Sequence, residues 1–347
     1  MLLLGIVAVA GSAVTLASAG KGGYSWHDTP TGTIASLRGL SAVSSTMAWA
    51  SGATPTGPIV LRTTDRGATW QDVTPAGSPA TLQFRDIEAF DEDNAVVMSA
   101  GVGGDSRIYW TSDGGESWTL AFENDDPGAF YDCMTFFDNK RGLALSDPPD
   151  LIKFRILSTS NRGRTWSVVD PAGMPPALPG EFAFAASGQC MTSAQGHRAW
   201  FGTGGGEEAR VFRSSDRGQT WSVSSTPMNS GPTAGIFALA FRSQQHGIAV
   251  GGDFAAPDAS PNNFAFTRDG GAFWKLLPAA PPEYRSGATW VNGNTAIAVG
   301  PTGSDVSTNH GHTWTRFDEG SLHTVDCANP NACWASGANG RAAYLER

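Results

Sequence analysis

Six copies of one octapeptide, four short apolar segments around each copy, and a C-terminus that stops partway through a repeat predict an all-β fold. That fold is a seven-bladed β-propeller of four-stranded blades. The octapeptide is [S/T]-x-[D/N]-x-G-x-x-W. It reads TTDRGATW at 63–70, TSDGGESW at 111–118, TSNRGRTW at 159–166, SSDRGQTW at 214–221, TRDGGAFW at 267–274 and STNHGHTW at 307–314. Successive tryptophans lie 48, 48, 55, 53 and 40 residues apart. Gly (43) and Pro (21) are plentiful, and charged residues make up 16%, well below the roughly 25% of ordinary soluble domains. That composition belongs to a chain of short strands and many turns.

Each element has its own justification. The first strand of a repeat is FRDIEAF (84–90), YDCMTFF (131–137) or YRSGATW (284–290). The second is a block such as NAVVMSAGV (94–102), GLALS (142–146), GIAVGG (247–252) or AIAVG (296–300), rich in β-branched or small residues. The third is RIYWTS (107–112), RVFRSS (210–215) or NFAFTR (263–268). The octapeptide then turns the chain into the fourth. In that turn Asp65, Asp113, Asn161, Asp216, Asp269 and Asn309 can accept hydrogen bonds from turn N–H groups, and the Gly two residues on supplies a positive φ. The Ser or Thr can bond within the same turn. The Trp starts the fourth strand and buries apolar area between neighbouring sheets. These Asp and Asn residues therefore read as structural and not catalytic.

The ends set the blade count. Gly20-Lys21-Gly22-Gly23-Tyr24-Ser25-Trp26 is a degenerate seventh copy, with Trp26 lying 44 residues before Trp70. CWASGANGRAAYLER supplies two strands, and YSWHD near the N-terminus is the missing outer one. The last blade is then sewn from both ends of the chain, which removes exposed edges. An open or six-bladed array is the alternative.

The net charge of −9 argues against a nucleic-acid partner, since no basic field displaces counterions from phosphate. MLLLGIVAVAGSAVTLASAG reads as a secretory leader over residues 1–19, cut near Ala19, followed by one propeller domain over 20–347. The protein is then exported, periplasmic or extracellular. A membrane anchor is the alternative, against which the short run and its Gly and Ser interruptions argue. Beyond Ala19 no apolar run is long enough for a span, and a monomer is expected. Four cysteines suit an oxidising compartment. Cys327 and Cys333 flank an Asn-Pro-Asn turn and are expected to bridge a hairpin. Cys133 and Cys190, each before Met-Thr, occupy matching places in consecutive blades. They are either bridged across adjacent innermost strands or two buried thiols.

The octapeptide resembles the Asp box of sialidases, xyloglucan-cleaving glycoside hydrolases, sortilin-type receptor propellers and the photosystem II assembly and stability factor family. The longer pattern AIAVGPTGSDVSTNHGHTW (296–314) is most similar to the assembly-factor family and its non-photosynthetic bacterial relatives. That resemblance covers nearly all of the chain after the leader. It implies a non-enzymatic scaffold that binds a protein or an extracellular polymer. Fold does not fix function, so the role itself is an analogy.

The alternative is a sialidase-like or other glycoside hydrolase acting on extracellular glycans. The sialidase Arg-Ile-Pro motif is missing, and Val60-Leu61-Arg62 is the nearest string. Acidic pairs at Asp125-Asp126, Asp147/Asp150 and Glu207-Glu208 sit in loops, where solvated carboxylates are ordinary. Asp147 and Asp253 are the candidates for an opposed acid pair. Gly202-Thr203-Gly204-Gly205-Gly206 is followed by a strand and not a helix, which argues against a dinucleotide site. No metal-type His/Cys spacing is present and no cofactor is expected; His310 and His312 lie in an octapeptide turn.

Setting the first strands in register places Arg38, Arg85, Arg285 and His323 at one position, with Asp132 there in the third blade. That position lies at the channel mouth on the face of the long loops, residues 53–59, 146–153, 202–209 and 251–263. A ring of positive charge there would bind an anion or a carboxylate. The competing role for these arginines is tying blades together by pairing with Asp86 and Asp147.

Overall fold

Short apolar segments separated by Gly, Pro and Asn cannot build long strands, and each repeat closes on itself as one small antiparallel sheet. A computed structural model of the chain describes residues 23–194, 196–277 and 280–347. It contains seven four-stranded sheets arranged as a propeller. Blade one is Ser36–Ala42, Ala48–Thr54, Gly57–Thr63 and Gln71–Asp72, hydrogen-bonded in that order from channel to rim. Blades two to six follow over residues 84–123, 131–168, 191–225, 234–276 and 287–318. Blade seven joins the ends of the chain. Ser25–Pro30 pairs with Arg341–Glu346, Trp26 opposite Leu345 and Thr29 opposite Ala342, and Ala332–Ser336 and Thr324–Asn329 complete the sheet. The expected seven-bladed closure is thus present. The leader and the first residues of the degenerate seventh copy lie outside the described residues.

The six octapeptide turns share one hydrogen-bond pattern. Asp65 Oδ1 accepts the Thr69 N–H at 2.9 Å, and the Thr63 hydroxyl oxygen accepts the Gly67 N–H at 2.9 Å. Asp113, Asn161, Asp216, Asp269 and Asn309 repeat the arrangement. In the second turn these bonds hold the Asp113 carboxyl down at about 2, the Ser117 hydroxyl contributing most. The glycine has two reasons to be glycine. Its φ is positive in every copy, +78° at Gly67, and the residue before it is left-handed too, +61° at Arg66. Its Cα also presses on the preceding blade, where a Cβ on Gly67 would come 2.5 Å from Thr29 Cγ2. The turns therefore dock one blade onto the last. The tryptophans follow: Trp118 meets Trp49 of blade one edge-on at 6.3 Å, and Trp314 meets Phe264 of blade five at 5.1 Å.

Both disulfides form. Cys327–Cys333 bridges directly opposed residues of a hairpin. Cys133–Cys190 joins the inner strand of blade three to the segment that enters blade four. In an antiparallel blade the octapeptide turns share a face with the first-to-second connections, and the second-to-third loops emerge on the other face. These are the turn face and the loop face below.

Candidate functional site

The inner strands begin on the loop face, and four of them carry an extra residue at a matching point. The pairing register shifts between Leu37 and Gly39, Phe84 and Asp86, and Tyr131 and Cys133. The extra residues at these bulges are Arg38, Arg85 and Asp132. A fourth bulge between Ile236 and Ala238 adds Phe237.

Arg38, Arg85 and His323 come together. They line a cavity of about 370 Å³ at the channel mouth, with Phe184, Phe237, Phe254 and Tyr284 as its walls. Arg38 Nη1 donates to the Ala186 carbonyl at 3.1 Å, and Arg85 Nη1 to the Ala185 carbonyl at 2.9 Å. Arg85 Nε also donates to Gln83 Oε1 at 3.2 Å. Neither guanidinium meets a carboxylate among the described residues. Burial, then the Arg38 charge, lowers Arg85 to about 10. Burial and both arginines push His323 down to about 3, so it is a neutral imidazole at pH 7, its Nε2 3.2 Å from Ser36 Oγ.

Two expected members are elsewhere. Arg285 does not share Arg85's position. Asp86 pairs with Met98 and Gly287 with Val299, each next to the last residue of its second strand, which makes Ser286 the counterpart of Arg85. No bulge re-aims Arg285, and it turns into the blade. There it is fully buried, with Nη2 2.5 Å from Asp305 Oδ2 and Nη1 2.8 Å from Thr302 Oγ1. Asp132 is buried beneath the mouth, with Oδ2 unpartnered. Burial, then the Asp147 charge, raises its carboxyl.

Tying of blades by Asp86 and Asp147 takes another form. Asp86 Oδ2 accepts the Met134 N–H of the next blade at 2.6 Å, and Asp147 Oδ1 accepts the Ala183 N–H at 2.8 Å. Asp253 Oδ1 accepts the Ala255 N–H inside its own loop. Among other acidic loop residues, Asp126 pairs with Arg155 and Asp150 caps Ile152 and Lys153.

Sequence reasoning missed the segment 182–190. It crosses the channel and divides it. Ala185 and Ala186 floor the basic mouth, whereas Ser187, Gly188 and Gln189 roof a second chamber of about 230 Å³ toward the turn face, lined by Asp86, Glu88 and Asp326. Gln189 Nε2 reaches blades six and seven, donating to the carbonyls of Ala288 at 3.1 Å and Val325 at 3.0 Å. Phe184 stacks on Phe237 at 3.9 Å, and Cys190 is bolted to blade three. The signal was the 55-residue interval between Trp166 and Trp221, the longest of the six-copy series.

Burial raises Asp86 to about 8 and also raises Asp326. A carboxyl whose folded value is raised holds its proton better when folded. Its stabilisation is complete below the unfolded value near 4 and is lost as pH climbs through about 8. The free energy of unfolding should therefore fall between pH 4 and 8 by at most about 1.4 kcal/mol per pH unit for this group, as urea titrations at each pH would read. Asp86→Asn, which keeps an acceptor for Met134, should flatten that slope.

No helix among the described residues is long and apolar enough to cross a membrane. No protein-family model matches the chain, and no curated protein matches it. Solved structures share the fold. One is YCF48 bound to D1 peptide, with a TM-score of 0.63 and 14% identity over 92% of this chain and 94% of that one. YCF48 from Cyanidioschyzon merolae gives the same values over 92% and 98%. A GH74 xyloglucanase from Xanthomonas campestris also gives 0.63 and 14%, over 92% of this chain and 53% of its own. At such identities the likeness is one of fold.

Proposed function

We propose that the protein is a non-enzymatic, exported scaffold that holds an acidic or carboxylate-bearing segment of a partner protein or polymer at the loop-face mouth. The observation that carries this reading is the pair Arg38 and Arg85. Two adjacent, half-buried guanidiniums with no carboxylate in ion-pair contact, Arg85 feeling only the buried Asp132 from beneath, are an electrostatic deficit in a chain of net charge −9, and an anion would fill it. The aromatic walls and the rim add apolar contact. Ile34, Val102, Leu151, Ile152 and Phe254 are exposed, Leu151 at 85%, and all five sit in connections that emerge on the loop face. Exposed apolar residues clustered around a cavity are typical of a surface that meets another molecule. The structural neighbour YCF48, seen with a D1 peptide, is consistent with peptide capture by such a fold. The two disulfides suit an exported protein.

Glycoside hydrolysis would need two carboxylates facing each other across the sugar. The described residues lining the mouth include no Asp or Glu, and Asp147 and Asp253 are engaged with backbone elsewhere. The binding reading is therefore preferred.

Capture from a native envelope fraction tests it. Wild-type bait should retain a partner that Arg38→Ala/Arg85→Ala bait loses, with the two baits melting at the same temperature. Equal capture by both baits, or a lower melting temperature with capture unchanged, would count against the proposal.

A further inference from the structure

On the turn face, far from the mouth, the junction of blades five and six holds a second basic cluster. A groove of about 160 Å³ is lined by Arg242, His246, Arg268, His310, His312 and Trp290, together with Phe266. Five cationic or protonatable side chains thus share one small groove in an acidic protein. Neither arginine meets a carboxylate among the described residues. Arg242 lies over the Trp290 ring at 5.3 Å and donates to the Gly293 carbonyl at 2.7 Å. Arg268 lies over Phe266 at 5.4 Å.

The hydrogen bonds dictate which histidine nitrogens are free. A guanidinium can only donate, so the 3.1 Å contact between Arg268 Nη2 and His312 Nε2 makes Nε2 an acceptor and puts the ring proton on Nδ1. A carbonyl can only accept, so the 3.1 Å contact of His310 Nδ1 with Gly293 O puts that proton on Nδ1 and leaves Nε2 a bare acceptor. Protonation changes both sites. His312 Nε2 becomes a donor facing another donor, and the Arg268 bond must break. Two N–H groups and two positive charges then face each other with nothing between them. An oxyanion bridging them would satisfy both. His310 Nε2 becomes a further donor.

We propose that this groove binds a sulfate- or phosphate-type oxyanion, and that binding tightens as its histidines become protonated. Every element around the groove contributes to the charge balance. The turn after Phe241 supplies Arg242 and His246; the turn after Thr267 supplies Arg268 and, beside it, Asp269; the turn after Ser307 supplies His310 and His312. Lys275, opposite Phe266 on the outer strand, adds a further positive charge beside Arg268, and Arg198 of blade four approaches Gln244 from behind. Asp269 is the one carboxylate adjoining the cluster among these residues, and its Oδ1 is held by the N–H groups of Ala272 and Phe273. Burial, then Arg242, Arg268 and His310, lowers His246 below its ordinary value. The folded chain thus resists that proton, and stability falls as pH drops below about 6.5 unless an anion offsets the charge.

This inference is independent of the mouth. Its test uses the full chain carrying Arg38→Gln/Arg85→Gln, so that the mouth does not contribute, and inorganic sulfate, which keeps its double charge across the range. Calorimetric titration should show sulfate binding about tenfold tighter near pH 5.5 than near pH 8, the gain from one unit of proton linkage. His310→Asn/His312→Gln should remove most of that gain, leaving only what His246 supplies, with melting at pH 8 unchanged, since Asn tolerates the left-handed φ of +64° at His310. Arg268→Gln, an exposed change, should weaken binding at both pH values. Equal affinity at the two pH values, a gain undiminished by the histidine changes, or full affinity in Arg268→Gln would overturn the proposal.

Discussion

Arg285→Ala is expected to destabilise the propeller by about 3 kcal/mol, whereas Arg85→Ala leaves its stability almost unchanged. Both residues stand near the start of an inner strand, and both follow an aromatic residue. Their environments are opposite. Arg285 and Asp305 side chains are wholly buried, and Asp305 Oδ2 accepts from two guanidinium nitrogens, Nε at 2.7 Å and Nη2 at 2.5 Å. Deleting the guanidinium strands a carboxylate in the blade. Arg316 Nε at 3.5 Å from Asp305 Oδ1 offsets part of the loss, which sets the figure at the low end of the usual range. Arg85 gives up only hydrogen bonds to Gln83 and to the Ala185 carbonyl at the rim of a wet cavity. Urea unfolding of the two variants checks this. Adding Asp305→Ala to Arg285→Ala should restore part of the stability, because the unpaired charge leaves with it. Equal effects from the two arginines would return Arg285 to the mouth.

A chain that starts at Thr31 should not form a stable monomer. The strand Ser25–Pro30 closes the ring, and its removal takes six ladder positions from Arg341–Glu346. It also takes Trp26, buried in the core of blades six and seven with Nε1 donating to Ser304 Oγ at 3.0 Å. Loss of one buried Trp costs about 3–5 kcal/mol, comparable to the whole stability of many domains. Blade one suffers too, because Gly67 packs on Thr29 and Trp70 Nε1 donates to Thr29 Oγ1 at 3.2 Å. Arg341–Glu346 would become a bare edge strand, a template for aggregation. Size-exclusion chromatography with circular dichroism should show aggregate or unfolded chain; a folded monomer would mean that closure contributes little.

These cases show what the sequence could and could not disclose. The octapeptide spacing is periodic, so blade number and closure could be read directly. Pairing within the hairpin at Cys327 and Cys333 was local. The mouth was legible only in part. Arg38 and Arg85 reach it because each inner strand bulges by one residue, and a bulge leaves no mark in an ungapped alignment of FRDIEAF with YRSGATW. Arg285 was therefore set one position off. The crossing segment 182–190 has no periodic signature, and its partners lie in blades six and seven. Only the excess length of its repeat hinted at it. Phe184, Phe237, Phe254 and Tyr284 converge from three separate parts of the chain, which no local pattern encodes.

The most direct test of the mouth's role is a binding comparison at pH 7 with short apolar peptides that differ only at the C-terminus, free carboxylate against amide, followed by fluorescence anisotropy. Charge-assisted hydrogen bonds to Arg38 and Arg85 predict that the acid binds at least about tenfold better, and that Arg38→Ala/Arg85→Ala erases the difference. Equal binding of acid and amide, or a preference for the acid that persists without both arginines, would contradict it.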